Sequence, residues 1–260
     1  MDIIVLLKQV PSTESMIEID GDGVSIKPDG IKWVINPYDE FAVEEALRIR
    51  EAQGGSVTIV SAGREKAAEA IRTALAMGAD KGVLVTDAAL ENCDGLGTAT
   101  VLAKAVKELP HDLIIAGQRA VDDDNFLVGA AVAEKLGMPL ISMVFKEEVK
   151  DGRITCHKTV DGGSVVEEAA LPVLFTTQRG LNEPRYASLP GIMKAKKKPL
   201  DTKSLADLGI DPAEVGEPKT KVVGLRTPPE RTAGQMIEGE SPTEKAAALV
   251  KALHEEAKVI

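Results

Sequence analysis

Up to about residue 145, short apolar runs alternate with Ala-rich amphipathic segments through short links, and few folds satisfy that rhythm. Ile3 to Leu7 is continuously apolar, as a strand covered on both faces must be. Glu40 to Arg50 has helical spacing through Phe41, Ala42, Ala46, Leu47 and Ile49, and Asn36 or Asp39 is placed to cap it. The series continues with a strand at Ser56 to Ser61, a helix at Arg64 to Met77 closed by Gly78, and a strand at Gly82 to Val85. A helix at Thr98 to Leu109, stopped by Pro110, leads to a strand at Asp112 to Ala116. A helix at Asn125 to Leu136, ended by Gly137, leads to a strand at Leu140 to Phe145. Strands and helices in strict alternation predict an α/β fold: a doubly wound, mostly parallel sheet with right-handed crossovers.

Beyond Phe145 the pattern becomes β-rich. Val149 to His157 and Ser164 to Ala169 flank Asp161-Gly162-Gly163 in a hairpin-like arrangement, and Leu171 to Thr177 is a further apolar strand. The stretch Lys194 to Gln235 is too rich in Pro, Lys and Gly to hold a core of its own and reads as an extended arm that wraps around something. An amphipathic helix, Thr243 to Ala257, follows, with Ser241-Pro242 and Glu244 suited to its start. The reading divides the chain into an α/β domain at 1–193 and an arm with its terminal helix at 194–260.

With only 3% aromatic residues among 260, the core must be built from Ala, Val, Leu and Ile, which favours helices packed closely on a sheet. The formal net charge of −10 argues against general nucleic-acid binding, which needs a basic face. Cys93 and Cys156 are far apart and lack any metal-ligand spacing, so neither zinc nor a disulfide framework is expected. The start, MDIIVLLKQVP, lacks the features of a secretory signal, and no stretch reaches membrane-spanning length. A cytoplasmic protein, or one of the mitochondrial matrix in a eukaryote, without membrane insertion, is expected.

Open α/β sheets bind ligands beyond the carboxyl ends of their strands, where helix N-termini favour anions. Three loops qualify here: Asn36 to Asp39, Ser61 to Arg64, and above all Gly117 to Asn125 with its three aspartates. The last could bind a phosphate through backbone N–H groups or could merely cap its own helix. Neither G-x-G-x-x-G nor G-x-x-x-x-G-K-[ST] is present. No catalytic constellation emerges: His111, His157 and His254 are scattered, and the neighbouring pairs Glu44/Glu45 and Glu167/Glu168 point in different directions. Asn92 and Asp94 beside Cys93 disfavour its thiolate. In contrast, Leu181 to Lys198 (LNEPRYASLPGIMKAKKK) breaks the α/β rhythm, carries Leu189 near its apolar tip and ends in lysines, which is suited to touching a partner.

The motifs LLKQVP, INPYDEFAVEEALRIRE, IRTALAMGAD, QRAVDDD, VDGGSVVEEAALPVLFTT, RGLNEPRYASLPGIMKAKKK and PPERTAG occur together here, spread over nearly the whole length. In this the chain closely resembles the beta-subunit family of electron transfer flavoproteins. The resemblance implies a Rossmann-like fold of the adenine-nucleotide alpha hydrolase type and a heterodimer with an alpha subunit that carries the redox-active FAD. It implies an electron carrier subunit without catalytic residues, taking electrons from flavin dehydrogenases such as acyl-CoA dehydrogenases of fatty acid oxidation and passing them to a quinone or other oxidoreductase. The residues themselves offer no metal site.

The family's nucleotide site carries over onto Leu6, Asn36, Pro37, Tyr38, Asp39, Ala62, Gly117, Gln118, Arg119, Ala120, Val121, Asp122, Asp123, Asp124, Asn125, Phe126, Leu127 and Val128. In most members it holds AMP, and in electron-bifurcating members a second FAD. AMP-type members have Asn-Gln-Thr-Gly at the helix start, where this chain has Phe126-Leu127-Val128-Gly129. Bifurcating members have a glycine where this chain has Asp123. Asp122-Asp123-Asp124 agrees with the AMP form and Val128-Gly129 with the bifurcating form; a side chain at 123 favours AMP by crowding a flavin. The family's dehydrogenase-docking segment carries over onto Arg185, Tyr186, Ala187, Ser188, Leu189, Pro190, Gly191, Ile192 and Met193, with Leu189 as the anchor. Lys194 to Lys198 then begins the arm or steers acidic partners. The rival reading of the residues is a stand-alone nucleotide-binding α/β protein.

Overall fold

A computed structural model describes residues 1–229 and 233–260, so Glu230, Arg231 and Thr232 of the PPERTAG motif lie outside the described residues. The first strands are β1 (Asp2–Leu6) and the short antiparallel pair β2 (Gln9–Pro11) and β3 (Trp33–Ile35). Helix α1 (Pro37–Gln53), β4 (Ser56–Ala62), α2 (Ala68–Met77), β5 (Lys81–Val85), α3 (Gly95–Lys107), β6 (Leu113–Gly117) and α4 (Val128–Leu136) follow in the expected alternation. Then come β7 (Leu140–Lys150), β8 (Arg153–Val160), β9 (Gly163–Ala170), β10 (Val173–Thr177), α5 (Leu189–Ala195), β11 (Leu200–Lys203), α6 (Pro212–Gly216) and α7 (Pro242–Lys251).

Nine strands form one sheet in the order β11-β5-β4-β1-β6-β10-β7-β8-β9, parallel from β11 to β7 and antiparallel through β8 and β9. Residues two apart share a face of a strand, and the burial follows that rule. Ile3, Val5, Ile59, Ile115 and Phe175 pack beneath α1 and α2, while Ile4, Val60, Ile114 and Leu174 pack beneath α3 and α4. The chain winds from β1 to β4 and β5, then crosses back to β6 on the other side of β1. At that reversal the two sets of helices diverge to opposite faces and leave a crevice above the carboxyl ends of the strands.

Several boundaries differ from expectation for identifiable reasons. Helix α1 begins at Pro37, whose fixed φ suits the first helical turn, and neither Asn36 nor Asp39 caps it. Helix α3 begins at Gly95 because the Asp94 carboxylate accepts from the N–H groups of Leu96 (3.0 Å) and Gly97 (2.9 Å). Helix α4 begins at Val128 instead of Asn125, since Asp124 (φ 53) and Phe126 (φ 56) have left-handed backbone that no α-helix admits. Strand β7 continues through Lys150, and the turn falls at Asp151 (φ 51) and Gly152 (φ 72), so Val149 belongs to β7 and does not open the next strand.

The expected arm is partly claimed by the α/β body. Leu200 to Lys203 pairs in parallel with β5 and completes that edge of the sheet, and Leu205, Leu208, Ile210 and Val215 are buried over α3. Beyond α6 the described residues lie mostly on the surface, tied by the Lys219 N–H to Asp94 (2.6 Å) and the Leu225 N–H to the Gly23 carbonyl (2.8 Å). Helix α7 opens with a Ser241/Glu244 capping box but buries none of its residues, and Val223, Met236, Leu249 and Val250 are exposed.

Candidate functional site

The crevice is a cleft of about 470 Å³ bounded by the ends of β1, β4 and β6, by the start of α3 and by the loop into α4. Its frame is a hydrogen-bonded knot around Asn36 and Asp39, both buried. The Asp39 carboxylate accepts from the Lys8 N–H (2.7 Å), the Gly117 N–H (3.1 Å) and Asn36 Nδ2 (2.9 Å), which locks the ends of β1 and β6 to the first turn of α1. Burial pushes Asp39 up to about 7 against these bonds and the Lys8 charge, all of which favour its ionised form. Asn36 Nδ2 also donates to the Arg119 carbonyl (2.8 Å), and Asn36 Oδ1 accepts from the Val121 N–H (3.2 Å). The two residues that resemble helix caps in sequence are therefore tertiary braces for the acidic loop.

Cations hold the loop's three carboxylates. Lys8 Nζ lies 2.8 Å from Asp122 and 3.1 Å from Asp123, and Arg119 Nη1 contacts both oxygens of Asp124 at 2.6 and 2.7 Å. The Arg119 guanidinium is stacked between Tyr38 and Phe126, at 5.0 and 5.3 Å from their ring centres, and donates to the Tyr38 hydroxyl at 2.9 Å. Asn125 Oδ1 accepts from the Leu127 N–H (3.1 Å), and the first carbonyl-bonded N–H of α4 is that of Ala131, to Leu127 O at 2.9 Å. The start of α4 carries no side-chain cap and no acidic residue in its first turn. Its N–H groups at the cleft wall are thus available to an anion.

Of the residues expected at the site, Leu6, Asn36, Asp39, Ala62, Gly117, Gln118, Arg119, Ala120, Asp123, Asn125, Leu127 and Val128 line the cleft. Pro37, Tyr38, Val121, Asp122, Asp124 and Phe126 stand behind that lining, where Tyr38, Asp122, Asp124 and Phe126 orient Arg119 and Lys8. Sequence reading missed Lys8, Cys93, Asp94, Thr98 and Thr220, which reach the same cleft from other segments. Only Lys8 had a signal, as the cation directly after the first apolar run. Burial, followed by the Asp94 charge, raises the Cys93 thiol, while Thr98 opposes the shift. Apolar walls from Leu6, Ala62 and Leu102, facing N–H donors at α4, fit a ligand with a flat apolar part and an anionic end. His111, His157 and His254 remain dispersed, on the Leu109 carbonyl, the Phe145 ring and the Ile260 carbonyl. Among the described residues no group of His, Cys, Asp or Glu is arranged to hold a metal ion, and no helix is long and apolar enough to cross a membrane.

The segment 185–193 is partly helical. Arg185 is turned inward onto α1, donating to Glu44 (2.8 and 2.9 Å) and Glu51 (2.5 and 3.2 Å), so it braces the segment. Ala187 packs against the core, Ser188 accepts from the Gly191 N–H (3.1 Å) to cap α5, and Pro190 lies in the helix's first turn. A Cβ on Gly191 would overlap the Ala76 carbonyl, so α5 is seated directly on α2. Outward stand Tyr186 (98% exposed), Leu189 (79%), Met193 (73%) and Ile192 (44%). Lys198 does not join the exposed lysines: its ammonium donates to the carbonyls of Leu75, Gly78 and Ala79 at the end of α2.

The family model described as electron transfer flavoprotein domain matches residues 24–208. The chain is 43% identical over 261 residues, with all of both chains covered, to the electron transfer flavoprotein subunit beta of Bacillus subtilis. It is 42% identical to that of Syntrophomonas wolfei, covering 92% of this chain and 91% of the relative, and 39% identical to that of Bradyrhizobium diazoefficiens with both chains fully covered. A mostly parallel sheet with a cleft at its reversal point, and likeness of this extent along the whole length, lead to one conclusion: the chain belongs to the electron transfer flavoprotein family, among its beta subunits.

Proposed function

We propose that this chain pairs with an alpha subunit to form an electron carrier, holds AMP in its own cleft, and docks flavin dehydrogenases through the tip around Leu189. FAD, held mainly by the alpha subunit, would supply the redox chemistry. This chain supplies shape, a bound nucleotide and a docking surface. The observation that carries the nucleotide reading is the uncapped start of α4 at the wall of a cleft with apolar sides. Leu6, Ala62 and Leu102 would face the base, and the N–H groups of Val128 and Gly129 would face the phosphate. Asp123 favours AMP over a second FAD: its carboxylate lines the cleft and is held there by Lys8 and by Asn125 Nδ2 at 3.1 Å, in space a flavin would need. Docking is supported by Leu189, Ile192 and Met193 held outward on a short capped helix, with Tyr186 exposed just before it, the preorganised anchor that a transient redox encounter needs. The surface stretch after α6 and α7, with its exposed apolar residues, is suited to lie against the alpha subunit. Passage of the electrons to a quinone or other oxidoreductase completes the proposed cycle. Denaturing the purified heterodimer and separating the released nucleotides tests the cofactor assignment. One FAD and one AMP per heterodimer are expected; two FAD would refute the AMP reading and support the bifurcating form.

A further inference from the structure

Three consecutive aspartates are a poor neighbourhood for a phosphate, and the structure contains a device that offsets them. We propose that Lys8 is a positioning residue for the nucleotide: it neutralises Asp122 and Asp123 so that an anion can settle at the start of α4. The inference rests on the nucleotide reading above. The Lys8 ammonium bridges Asp122 Oδ1 (2.8 Å) and Asp123 Oδ2 (3.1 Å), and Arg119 holds Asp124, so each loop carboxylate has a cationic partner. The Lys8 backbone is clamped as well, its N–H donating to Asp39 (2.7 Å) and its carbonyl accepting from the Asn36 N–H (3.0 Å). An ammonium fixed from below in this way delivers its charge to one place. Two of its donors are occupied by the aspartates, and both Lys8 and Asp123 line the cleft. Its chief effect is therefore on the loop's charge, with direct contact to the ligand secondary.

Removing this cation would leave two carboxylates unpaired beside the anion. For charges several ångströms apart in a partly solvated cleft, repulsion of this kind weakens binding on the order of 10- to 100-fold. The test uses the heterodimer stripped of nucleotide and titrated calorimetrically with AMP. Lys8→Met should weaken binding by about that factor, and high salt should recover part of the loss by screening. The triple variant Lys8→Met/Asp122→Asn/Asp123→Asn, which removes the cation together with the carboxylates it neutralises, should restore near-native affinity. If Lys8→Met fails to assemble, Asp122→Asn/Asp123→Asn with Lys8 retained should bind AMP at least as tightly as the native chain, and weaker binding would overturn the role. Native affinity in Lys8→Met, or a triple variant as weak as Lys8→Met, would overturn the role of Lys8 while leaving the nucleotide reading intact. Absence of AMP binding by the native heterodimer would overturn both.

Discussion

Substitution of Gly117 by alanine probes the frame of the cleft at its tightest point. An added Cβ would overlap the Asp39 carboxylate and would lie 2.8 Å from Tyr38 Cβ and 3.0 Å from the Tyr38 carbonyl carbon. The Tyr38 atoms belong to or adjoin the backbone of α1, and the Asp39 carboxylate is pinned by Lys8, Asn36 and Gly117, so α1 must move away from β6. That overpacking costs about 1–3 kcal/mol. The move also breaks the 3.1 Å bond from the Gly117 N–H to Asp39, and a hydrogen bond to an ionised group contributes about 1.5–3 kcal/mol. The reduced backbone freedom of the unfolded alanine variant returns about 0.4–1 kcal/mol, which leaves a net loss of about 2–5 kcal/mol. For a chain of this size that corresponds to a fall in Tm of roughly 4–20 °C. Scanning calorimetry of the heterodimer at one scan rate measures it, with Gly21→Ala as the control, because a Cβ there meets nothing within 4 Å. The control should stay within about 0.5 kcal/mol of the native chain. A Gly117→Ala variant that unfolds with the control would refute the account of Asp39 and Gly117 as a close-packed junction.

Two further outcomes are expected. Burial, followed by the nearby Glu45 carboxylate, pushes Glu147 up to about 8, so folding favours its protonated form; the stability this contributes is complete below pH ~4.5 and is lost as the pH rises through 8. Asp39, at about 7, acts in the same sense. Thermal stability of the heterodimer should therefore decline from pH 6 to 9, and Glu147→Gln, which keeps the shape and removes the titration, should make that decline shallower; an unchanged pH profile would contradict it. Leu189→Ala removes an anchor that is 79% exposed, so heterodimer assembly and nucleotide content should stay native while electron transfer from the cognate dehydrogenase weakens on the order of 10- to 100-fold, the scale of an apolar hot spot. Unaltered steady-state kinetics would remove Leu189 from the docking surface.

Much of this molecule was legible in one dimension, and the places where legibility failed share a cause. The parallel sheet could be read because strands such as Ile3 to Leu7 and helices such as Arg64 to Met77 declare themselves through local periodicity. Strand β11, Leu-Asp-Thr-Lys, has no such pattern: it lies at the sheet edge with two of its four residues exposed, and only the neighbouring β5 makes it a strand. The loops of the cleft were visible as strand-to-helix connections, but Asp94 and Thr220 were not assignable to them, because they arrive there from segments distant in the chain. Asn36 before a helix carries the same local signal whether its amide caps that helix or reaches 83 residues onward to Arg119. Arg185 within an exposed-looking segment likewise gave no sign that it would pair with Glu44, 141 residues away.

The sequence by itself determined the class of fold, the alternation of its main strands and helices through α4, and the family, since hydrophobic period, helix-breaking residues and family motifs are properties of the chain read locally. Only the tertiary structure decided that Asp39 and Asn36 brace three segments, that cations hold each aspartate of the loop, that α4 starts late and uncapped, and that Arg185 turns inward so that the exposed apolar tip begins at Tyr186. These are pairings between residues far apart in the chain. Burial and geometry choose among many equivalent donors and acceptors, and that choice exists only once the sheet has brought the strand ends together.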